Sequence, residues 1–304
     1  MSVEFCGLEL AHPVINGSGT FDAIAARRAF GENLLDGFPF AAYVSKTITL
    51  KERAGNPPPR LWEASGGLIN SIGLPNKGLE RYMSEDLPEL ARLLSAVASS
   101  GREQAPVPLI TNVMGSSAAE FAALVEACDG LQEIAAVELN VSCPNVRTGL
   151  DIGADPRQLE DVVRVVRAVS AKPLIVKLTP NTADVSACAQ AAQDGGADAV
   201  SLINTLRAMA LSPGGLPGRA RPWLGGGSGG LSGPAVRAIA LAQVAAVAAR
   251  VEIPVIGMGG VQSAAHASDL IDVGATLVAV GTESFRDPAA GARIARALQR
   301  AGAD

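Results

Sequence analysis

The sequence PLIVKLTPNTADVSACAQAAQDGGADAVSLIN, residues 173–204, contains one complete strand–helix–strand unit. Its two mostly apolar runs, Leu174–Leu178 and Ala199–Asn204, have the length of strands and the two-sided apolar character of parallel strands buried under helices. Between them, Val185–Asp194 has the apolar spacing of a helix, and two glycines follow it where a helix end favours a left-handed residue. This stretch therefore predicts a βαβ unit and a parallel sheet.

The same alternation of strand and helix runs along the whole sequence. The strand candidates are Pro13–Asn16, Ala42–Lys46, Leu109–Val113, Val137–Val141, Leu174–Leu178, Ala199–Asn204, Val255–Met258 and Leu277–Gly281. The helix candidates are Ala23–Phe30, Leu87–Ser99, Ala118–Cys128, Pro156–Val169, Val185–Asp194, Pro234–Ala249, Ala264–Val273 and Pro288–Gln299. Asp155 and Asp287 are N-cap candidates, each followed by a proline, and Gly233 is the weaker candidate before the helix at 234.

Eight such units in order predict an α/β fold, a closed (β/α)8 TIM barrel. We expect residues 1–304 to form one single barrel domain, because barrels reach this length without dividing into two domains. Two strand–helix connections are long, Thr47–Asp86 and Thr205–Ser232. Long loops at the C-terminal face of a barrel usually carry function, and the alternative is that they are tolerated insertions.

Composition and charge exclude several classes of protein. The net charge is -5 and no basic stripe is present, so binding to a nucleic-acid backbone is not expected. The Ala-rich stretch Ala235–Val251 is interrupted by charged and amide side chains, which indicates a packed amphipathic helix and not a membrane span. Met1–Leu10 lacks the basic start and apolar run of a secretion signal.

The cysteines indicate free thiols. Four are present, far apart and without a CxxC pair: Cys6, Cys128, Cys143 and Cys188. A disulfide framework or a metal cluster held by this chain alone is therefore not expected, and the location expected is a reducing cytoplasm.

Polar residues and glycines stand at the predicted strand ends, where a barrel carries its chemistry. They are Ser18, Gly19, Lys46, Thr47, Asn112, Asn140, Lys177, Asn204, Thr205, Gly259, Gly260, Gly281 and Thr282. Amide and ammonium groups are costly to bury without partners, so this end of the barrel is expected to face a polar ligand.

Glycines close the last two strands, in Gly257–Gly260 and Val280–Thr282. Glycines at this position let backbone N–H groups approach a phosphate, whose charge a following helix N-terminus favours. The alternative is that they serve only tight turns.

Cys143 lies in the segment Asn140–Asn145, just after the fourth strand. A thiol in this polar, loop-forming setting is suited to exchange protons with a bound substrate. The alternative, a small buried hydrophobic residue, suits Cys128 and Cys188 better, because both lie in helical patterns among small apolar residues.

Lys46 and Lys177 end strands within an otherwise apolar pattern, where an ammonium group needs an anionic partner. One of them is expected to neutralise a substrate carboxylate and the other to face a cofactor that becomes anionic, unless each forms an internal ion pair. His12 and His266 lie away from the strand ends, and His266 is expected on a helix surface.

Together these segments resemble the class 1 dihydroorotate dehydrogenases, flavoenzymes of pyrimidine synthesis, over nearly the whole chain. The segments that carry the resemblance are 18–21 (SGTF), 45–47 (SKT), 56–60 (NPPPR), 70–78 (NSIGLPNKG), 140–145 (NVSCPN), 203–205 (INT), 229–234 (GGLSGP) and 256–260 (IGMGG). Each is a modest signal, whereas the whole set in this order is specific.

The resemblance implies one FMN-binding barrel domain in which dihydroorotate is oxidised to orotate, with hydride passing from C6 of the substrate to N5 of FMN and Cys143 removing the C5 proton. It implies these substrate-binding residues: Lys46, Asn70, Ser71, Ile72, Gly73, Leu74, Asn140, Asn204 and Thr205. It implies these FMN-binding residues: Ser18, Lys46, Thr47, Asn112, Asn140, Lys177, Ile203, Gly233, Gly259, Gly260, Gly281 and Thr282. No metal site is implied in this chain.

The motifs at 229–234 and 256–260 look like class 1B, the NAD-linked type. That type implies a homodimer of this chain that joins a second subunit in a heterotetramer. The second subunit carries FAD and an iron–sulfur cluster, which the scattered cysteines here cannot hold. The alternative is class 1A, a homodimer that passes electrons to fumarate. Class 2 is disfavoured, because it is membrane-bound, has a serine base and carries an N-terminal amphipathic extension.

Two hypotheses from other functional classes share part of this pattern. A transfer-RNA dihydrouridine synthase is also a flavin barrel with a cysteine near a proline, but it requires a basic face and an added RNA-binding domain, whereas this chain is acidic. A barrel that binds without catalysing is the other alternative, and bound flavin would count against it.

Overall fold

The fold is seen in a computed structural model that describes residues 2–31, 33–99, 106–142, 152–212 and 220–301. At 35, 36, 98 and 99 it describes the backbone. Cys143, the predicted catalytic base, lies outside the described residues.

Eight parallel strands form the central sheet of a (β/α)8 TIM barrel, as predicted. The strands are β3 (Val14–Asn16), β4 (Tyr43–Val44), β7 (Leu109–Val113), β8 (Ala136–Asn140), β9 (Leu174–Lys177), β10 (Ala199–Leu202), β13 (Val255–Met258) and β14 (Leu277–Val280). Their order around the sheet is β3-β14-β13-β10-β9-β8-β7-β4. Every strand residue in this sheet is buried, because helices cover the outer face and the inner face is packed.

The barrel closes between β3 and β4 through a side chain. The backbone N–H of Ala41 donates to the carbonyl of Val14 at 3.0 Å, but further along Asn16 takes the place of a backbone ladder. Its amide nitrogen donates to the carbonyl of Val44 at 2.8 Å, and its amide oxygen accepts from the N–H of Val44 at 2.8 Å. Asn16 thus satisfies both backbone groups of Val44, in a strand that is only two residues long.

Each of the eight predicted helices has a counterpart in the structure, and among the described residues three helices of four residues each lie where none was predicted. They are α1 (Ala23–Phe30), α2 (Asn33–Asp36), α3 (Gly78–Arg81), α4 (Leu87–Ser99), α5 (Ala118–Asp129), α6 (Pro156–Arg167), α7 (Val185–Asp194), α8 (Arg237–Ala248), α9 (Ala264–Asp272), α10 (Glu283–Arg286) and α11 (Ala290–Ala301). Asp155 caps α6 as predicted, because its carboxylate accepts from the N–H groups of Arg157 and Gln158. A single π-helical turn, Tyr82–Asp86, joins α3 to α4.

Two helix starts differ from the prediction. Gly233 is the N-cap at φ +92°, but Pro234–Val236 forms a 3₁₀ turn before α8 begins. The last helix begins at Ala290 and not at 288, because the Asp287 carboxylate accepts from the N–H of Ala289 at 3.0 Å and closes a turn first.

The long connections contain strands that the sequence analysis did not predict. The strands β5 (Leu61–Ala64), β6 (Gly67–Asn70), β11 (Leu206–Ala208) and β12 (Gly229–Ser232) form an antiparallel sheet in the order β11-β12-β6-β5. A separate hairpin, β1 (Val3–Phe5) with β2 (Leu8–Leu10), precedes the barrel. The four-stranded sheet joins the two long connections into one unit, which is why neither is a simple insertion.

Two apolar clusters stabilise the barrel. The larger lies between strands and helices, and the smaller fills the barrel interior, where Ile15, Ile110, Ile175 and Ile256 meet. Within the described ranges, no helix has both the length and the apolar character needed to cross a membrane.

Candidate active site

A cavity of about 820 Å³ opens at the C-terminal ends of the barrel strands, where the sequence predicts the chemistry. Strand ends form its floor, while residues of β5, β6 and β12 form one side. The long connections therefore contribute directly to the site.

Most of the predicted site residues line this one cavity. They are Ser18, Lys46, Thr47, Asn70, Ile72, Gly73, Leu74, Asn140, Lys177, Ile203, Asn204, Thr205, Gly233, Gly259, Gly260, Gly281 and Thr282. Two predicted residues are buried outside the lining, Ser71 and Asn112. Cys143 follows Ser142 directly, at the point where the described residues stop.

Ser71 faces away from the cavity because side chains alternate along an extended chain. Its hydroxyl donates to the carbonyl of Ser228 at 2.8 Å and contacts the amide nitrogen of Asn56 at 3.1 Å. These bonds tie the segment to the neighbouring loop, while Asn70 and Ile72 line the cavity. We therefore interpret the contribution of Ser71 to the site as main-chain or structural.

The two lysines reach the cavity from different strands. Lys46 follows β4 and packs against Gly19, where an added Cβ would lie 2.9 Å from its Nζ. Lys177 ends β9 and is 6% exposed, and no hydrogen bond or ion pair to its ammonium is found among the described residues. A buried ammonium without a partner is costly, so this arrangement favours an anionic or electron-rich ligand.

Polar side chains form a continuous hydrogen-bonded chain across the floor. The Ser18 and Thr47 hydroxyls are 3.3 Å apart, and the amide nitrogen of Asn140 donates to Thr47 Oγ1 at 3.3 Å. The Ser142 hydroxyl then donates to Asn140 Oδ1 at 3.1 Å and accepts from the amide nitrogen of Asn204 at 2.8 Å. These hydrogen bonds hold the amides of Asn140 and Asn204 in fixed orientations, which suits the recognition of a planar, hydrogen-bonding ligand.

The glycine loops form the other end of the cavity. Gly259 and Gly260 have φ of +139° and +69°, and a Cβ on Gly260 would lie 3.1 Å from the carbonyl oxygen of Gly233. Close by, the Thr282 hydroxyl donates to Ser232 Oγ at 2.9 Å. Only glycine fits such a close approach of backbone segments, and their N–H groups can then face a phosphate.

The three thiols within the described residues do not line the cavity. Cys128 and Cys188 are fully buried in helices, as predicted for small hydrophobic residues, and burial raises the pKa of the Cys128 thiol to about 12. Cys6 lies near the N-terminal hairpin, and burial raises its pKa to about 12 as well. None of these three thiols is suited to proton transfer near neutral pH. Within the described ranges, no group of three or more His, Cys, Asp or Glu side chains could hold a metal ion.

Sequence reasoning missed several residues at or below the site. Ser142 joins two predicted amides, and its position two residues after Asn140 on the same face was the available signal. Glu138, two residues before Asn140, carries the same signal and contacts Asn112. Phe285 and Arg286 line the mouth, but no pattern in the sequence marks them as site residues.

Comparison with known proteins agrees with the geometry. The family model described as dihydroorotate dehydrogenase matches residues 1–301. The protein named dihydroorotate dehydrogenase B (NAD(+)), catalytic subunit, of Geobacter sp. (strain M21) is 41% identical over 305 residues, which cover 100% of this chain and 93% of that relative. The proteins with the same name in Pelobacter propionicus and Geobacter sulfurreducens are 43% and 42% identical, covering 99% and 100% of this chain and 92% and 93% of the relatives.

The family match spans nearly the entire sequence, and the full-length relatives share more than two fifths of its residues. The chain belongs to the dihydroorotate dehydrogenase family.

Proposed function

We propose that this chain is an FMN-dependent dihydroorotate dehydrogenase of class 1B, which oxidises dihydroorotate to orotate in pyrimidine synthesis. The observation that carries the proposal is that one cavity brings together two strand-end lysines, the hydrogen-bonded amides of Asn140 and Asn204, and the glycine loops at 233 and 259–260. The names of the relatives support the NAD-linked type. We also propose that residues 1–304 act as one FMN-binding barrel domain.

The described residues fit FMN on three observations. Gly260 and Gly233 leave space that a Cβ would fill, as a phosphate cradle requires. Lys177 offers a buried ammonium to a ring that gains negative charge on reduction. Asn112 lies just beneath the cavity lining, because its backbone bonds to Ser45 and Ile48, the residues on either side of the lining pair 46–47. Its Oδ1 atom is buried and has no hydrogen-bond partner among the described residues, which leaves one acceptor for a ligand.

FMN, when bound, supplies the hydride acceptor for C6 of the substrate. Lys46 binds the substrate carboxylate through a charge-assisted hydrogen bond. Asn70, Asn140 and Asn204 hydrogen-bond the amide groups of the pyrimidine ring and fix its orientation. The family resemblance assigns the base to Cys143, whose thiolate sulfur takes the C5 proton.

The first experiment identifies the cofactor. The purified chain is denatured and the released chromophore is separated by chromatography, where FMN is expected. Finding FAD or a nicotinamide alone would overturn the assignment, and finding no flavin would favour a barrel that binds without catalysing.

The second experiment identifies the electron acceptor. We propose a partner subunit with FAD and an iron–sulfur cluster, in a heterotetramer built on a homodimer of this chain, since the name "catalytic subunit" of the relatives implies one. The protein is reduced with dihydroorotate under anaerobic conditions and then offered NAD, fumarate and a quinone in turn. The isolated chain is expected to reduce NAD slowly, and co-expression with such a partner is expected to restore the rate. Rapid turnover of fumarate by the isolated chain would favour class 1A instead.

The cytoplasm is the proposed location, which rests on the separation of the four cysteines in the sequence.

A further inference from the structure

Glu138 is one of two charged side chains that are buried in the described part of the chain. It is 2% exposed, and the other, Lys177, is 6% exposed. Lys177 has a role in the proposed function, whereas Glu138 has none. A buried charged group is costly, so its presence calls for a specific use.

Glu138 points into the barrel, directly below the floor of the cavity. Its neighbour Ala136, two residues earlier on β8, belongs to the interior apolar cluster, and side chains alternate along a strand. Its Oε1 accepts from the hydroxyl of Ser201 at 2.7 Å, although Ser201 is on β10, two strands away. Only a side chain that crosses the interior makes this contact.

The other oxygen of Glu138 fixes the orientation of Asn112. The amide nitrogen of Asn112 donates to Glu138 Oε2, and the two residues are paired across β7 and β8. A carboxylate only accepts hydrogen bonds, so a reversed Asn112 amide would bring two acceptor oxygens together. Asn112 Oδ1 is therefore the atom left over, and it is buried without a partner among the described residues.

We propose that Glu138 is a positioning residue, which holds Asn112 so that its carbonyl oxygen accepts from an N–H group of the bound cofactor ring. The inference rests on the proposed FMN, whose isoalloxazine ring carries one imide N–H. With the amide reversed, an NH₂ group would face that N–H, and two donors would be opposed. The hydrogen bond that Glu138 accepts from Asn112 thus selects an acceptor, and not a donor, at this point below the cavity floor.

A reciprocal exchange of carboxylate and amide tests the proposal. In Glu138→Gln, the new amide can donate as well as accept, so the Asn112 orientation is no longer enforced. In Asn112→Asp, two carboxylates oppose each other. In the double variant, the new amide at position 138 can donate to the new carboxylate at position 112 and can still accept from Ser201. The second carboxylate oxygen at position 112 can still accept from the ligand.

Affinity for FMN is measured on apoprotein by quenching of flavin fluorescence, and the visible spectrum of the bound flavin is recorded. Glu138→Gln is expected to raise the Kd about tenfold, the effect of one buried hydrogen bond that is misoriented. Asn112→Asp is expected to raise it further, and the double variant to recover at least about tenfold relative to Asn112→Asp. Glu126→Gln, the same change at an exposed position of α5, is the control and is expected to bind as the wild type does.

The outcomes separate this inference from the proposed function. Wild-type protein that binds no FMN would overturn the proposed function and this inference with it. Wild-type protein that binds FMN, together with Glu138→Gln of equal affinity and spectrum, would overturn the inference alone. A double variant that binds no more tightly than Asn112→Asp would also overturn it, whether or not the variants retain the melting temperature of the wild type.

Discussion

Substituting Gly19 by alanine should displace the Lys46 ammonium without removing its charge. Gly19 has φ +72°, and its added Cβ would lie 2.9 Å from Nζ and 3.0 Å from Cδ of Lys46. Both distances are shorter than carbon and nitrogen atoms normally approach without bonding. Since the end of a lysine side chain is flexible, the ammonium should move and the backbone should remain.

Two separate magnitudes follow from this geometry. An alanine held in the left-handed region costs about 1–2 kcal/mol of folding stability. A charge-assisted hydrogen bond between Lys46 and the orotate carboxylate contributes about 1.5–3 kcal/mol, and about 1.4 kcal/mol corresponds to a tenfold change in Kd. Loss of that bond should therefore raise the Kd for orotate by roughly 10- to 100-fold.

The assay is titration of FMN-loaded protein with orotate, followed by the change in flavin absorbance. Gly7→Ala is the matched control, because Gly7 has φ +79° and an added Cβ there would meet no atom within 4 Å. It should lose similar stability in a thermal melt while binding orotate as the wild type does. Gly19→Ala should add little to the effect of Lys46→Ala when the two are combined, because both act on the same bond.

Wild-type orotate affinity in Gly19→Ala would remove Lys46 from the carboxylate site. The double variant gives a second test. If Gly19→Ala lowered orotate affinity as much in the Lys46→Ala protein as in the wild type, the effect would not depend on the lysine, and Lys46 would again be removed from the carboxylate site.

Gly260→Ala should weaken FMN binding, since Gly260 has φ +69° and an added Cβ would lie 3.1 Å from the carbonyl oxygen of Gly233. The amount of FMN retained after gel filtration should fall about tenfold. Full retention would contradict a phosphate site at Gly233 and Gly260. Burial lowers the pKa of His12 from 6.5 to about 4, and its neutral Nδ1 accepts from the N–H of Val14 at 3.3 Å. The unfolded state binds the proton more readily than the folded state. The contribution of neutral His12 to the free energy of unfolding should therefore be fully present above about pH 6.5, and about 3 kcal/mol of it should be lost as the pH falls to about 4. Urea titrations of His12→Gln should lack this loss, and an identical pH profile in both proteins would refute it. Cys143→Ala should slow anaerobic flavin reduction by dihydroorotate about 10²–10⁴-fold in stopped-flow measurements while FMN and orotate still bind; reduction at the wild-type rate would exclude Cys143 as the base.

The barrel was predictable because its strands and helices carry local signals. Leu174–Lys177 is apolar enough to indicate a buried strand, and Val185–Asp194 has helical spacing that needs no knowledge of distant residues. The small antiparallel sheet carries no such signal. Its strands have three or four residues, and Asn70 pairs with Gly230, 160 positions away in the sequence. Pairing at that distance depends on the barrel that brings the two connections together.

Site residues at strand ends were predictable for a related reason. The position of Lys46 or Asn140 at a strand end fixes both its depth and the face on which it lies, so the sequence alone places it at the floor of the cavity. The direction of Ser71 depends on its partners Asn56 and Ser228, which only the folded connections bring together. Hydrogen-bond partners in loops are therefore the part of the site that sequence reasoning predicts least well.

The barrel interior changes from apolar to polar along its axis, and this change explains why a buried carboxylate is tolerated. On β7 the interior side chains pass from Ile110 to Asn112, and on β9 from Ile175 to Lys177. The apolar layer stabilises the fold without a ligand, while the polar layer above it depends on what it binds. Glu138 lies at the boundary, where its hydrogen bond to Asn112 connects the two layers. A substitution of Glu138 should affect the orientation of the ligand more than the stability of the barrel, because the apolar layer that stabilises the fold remains intact.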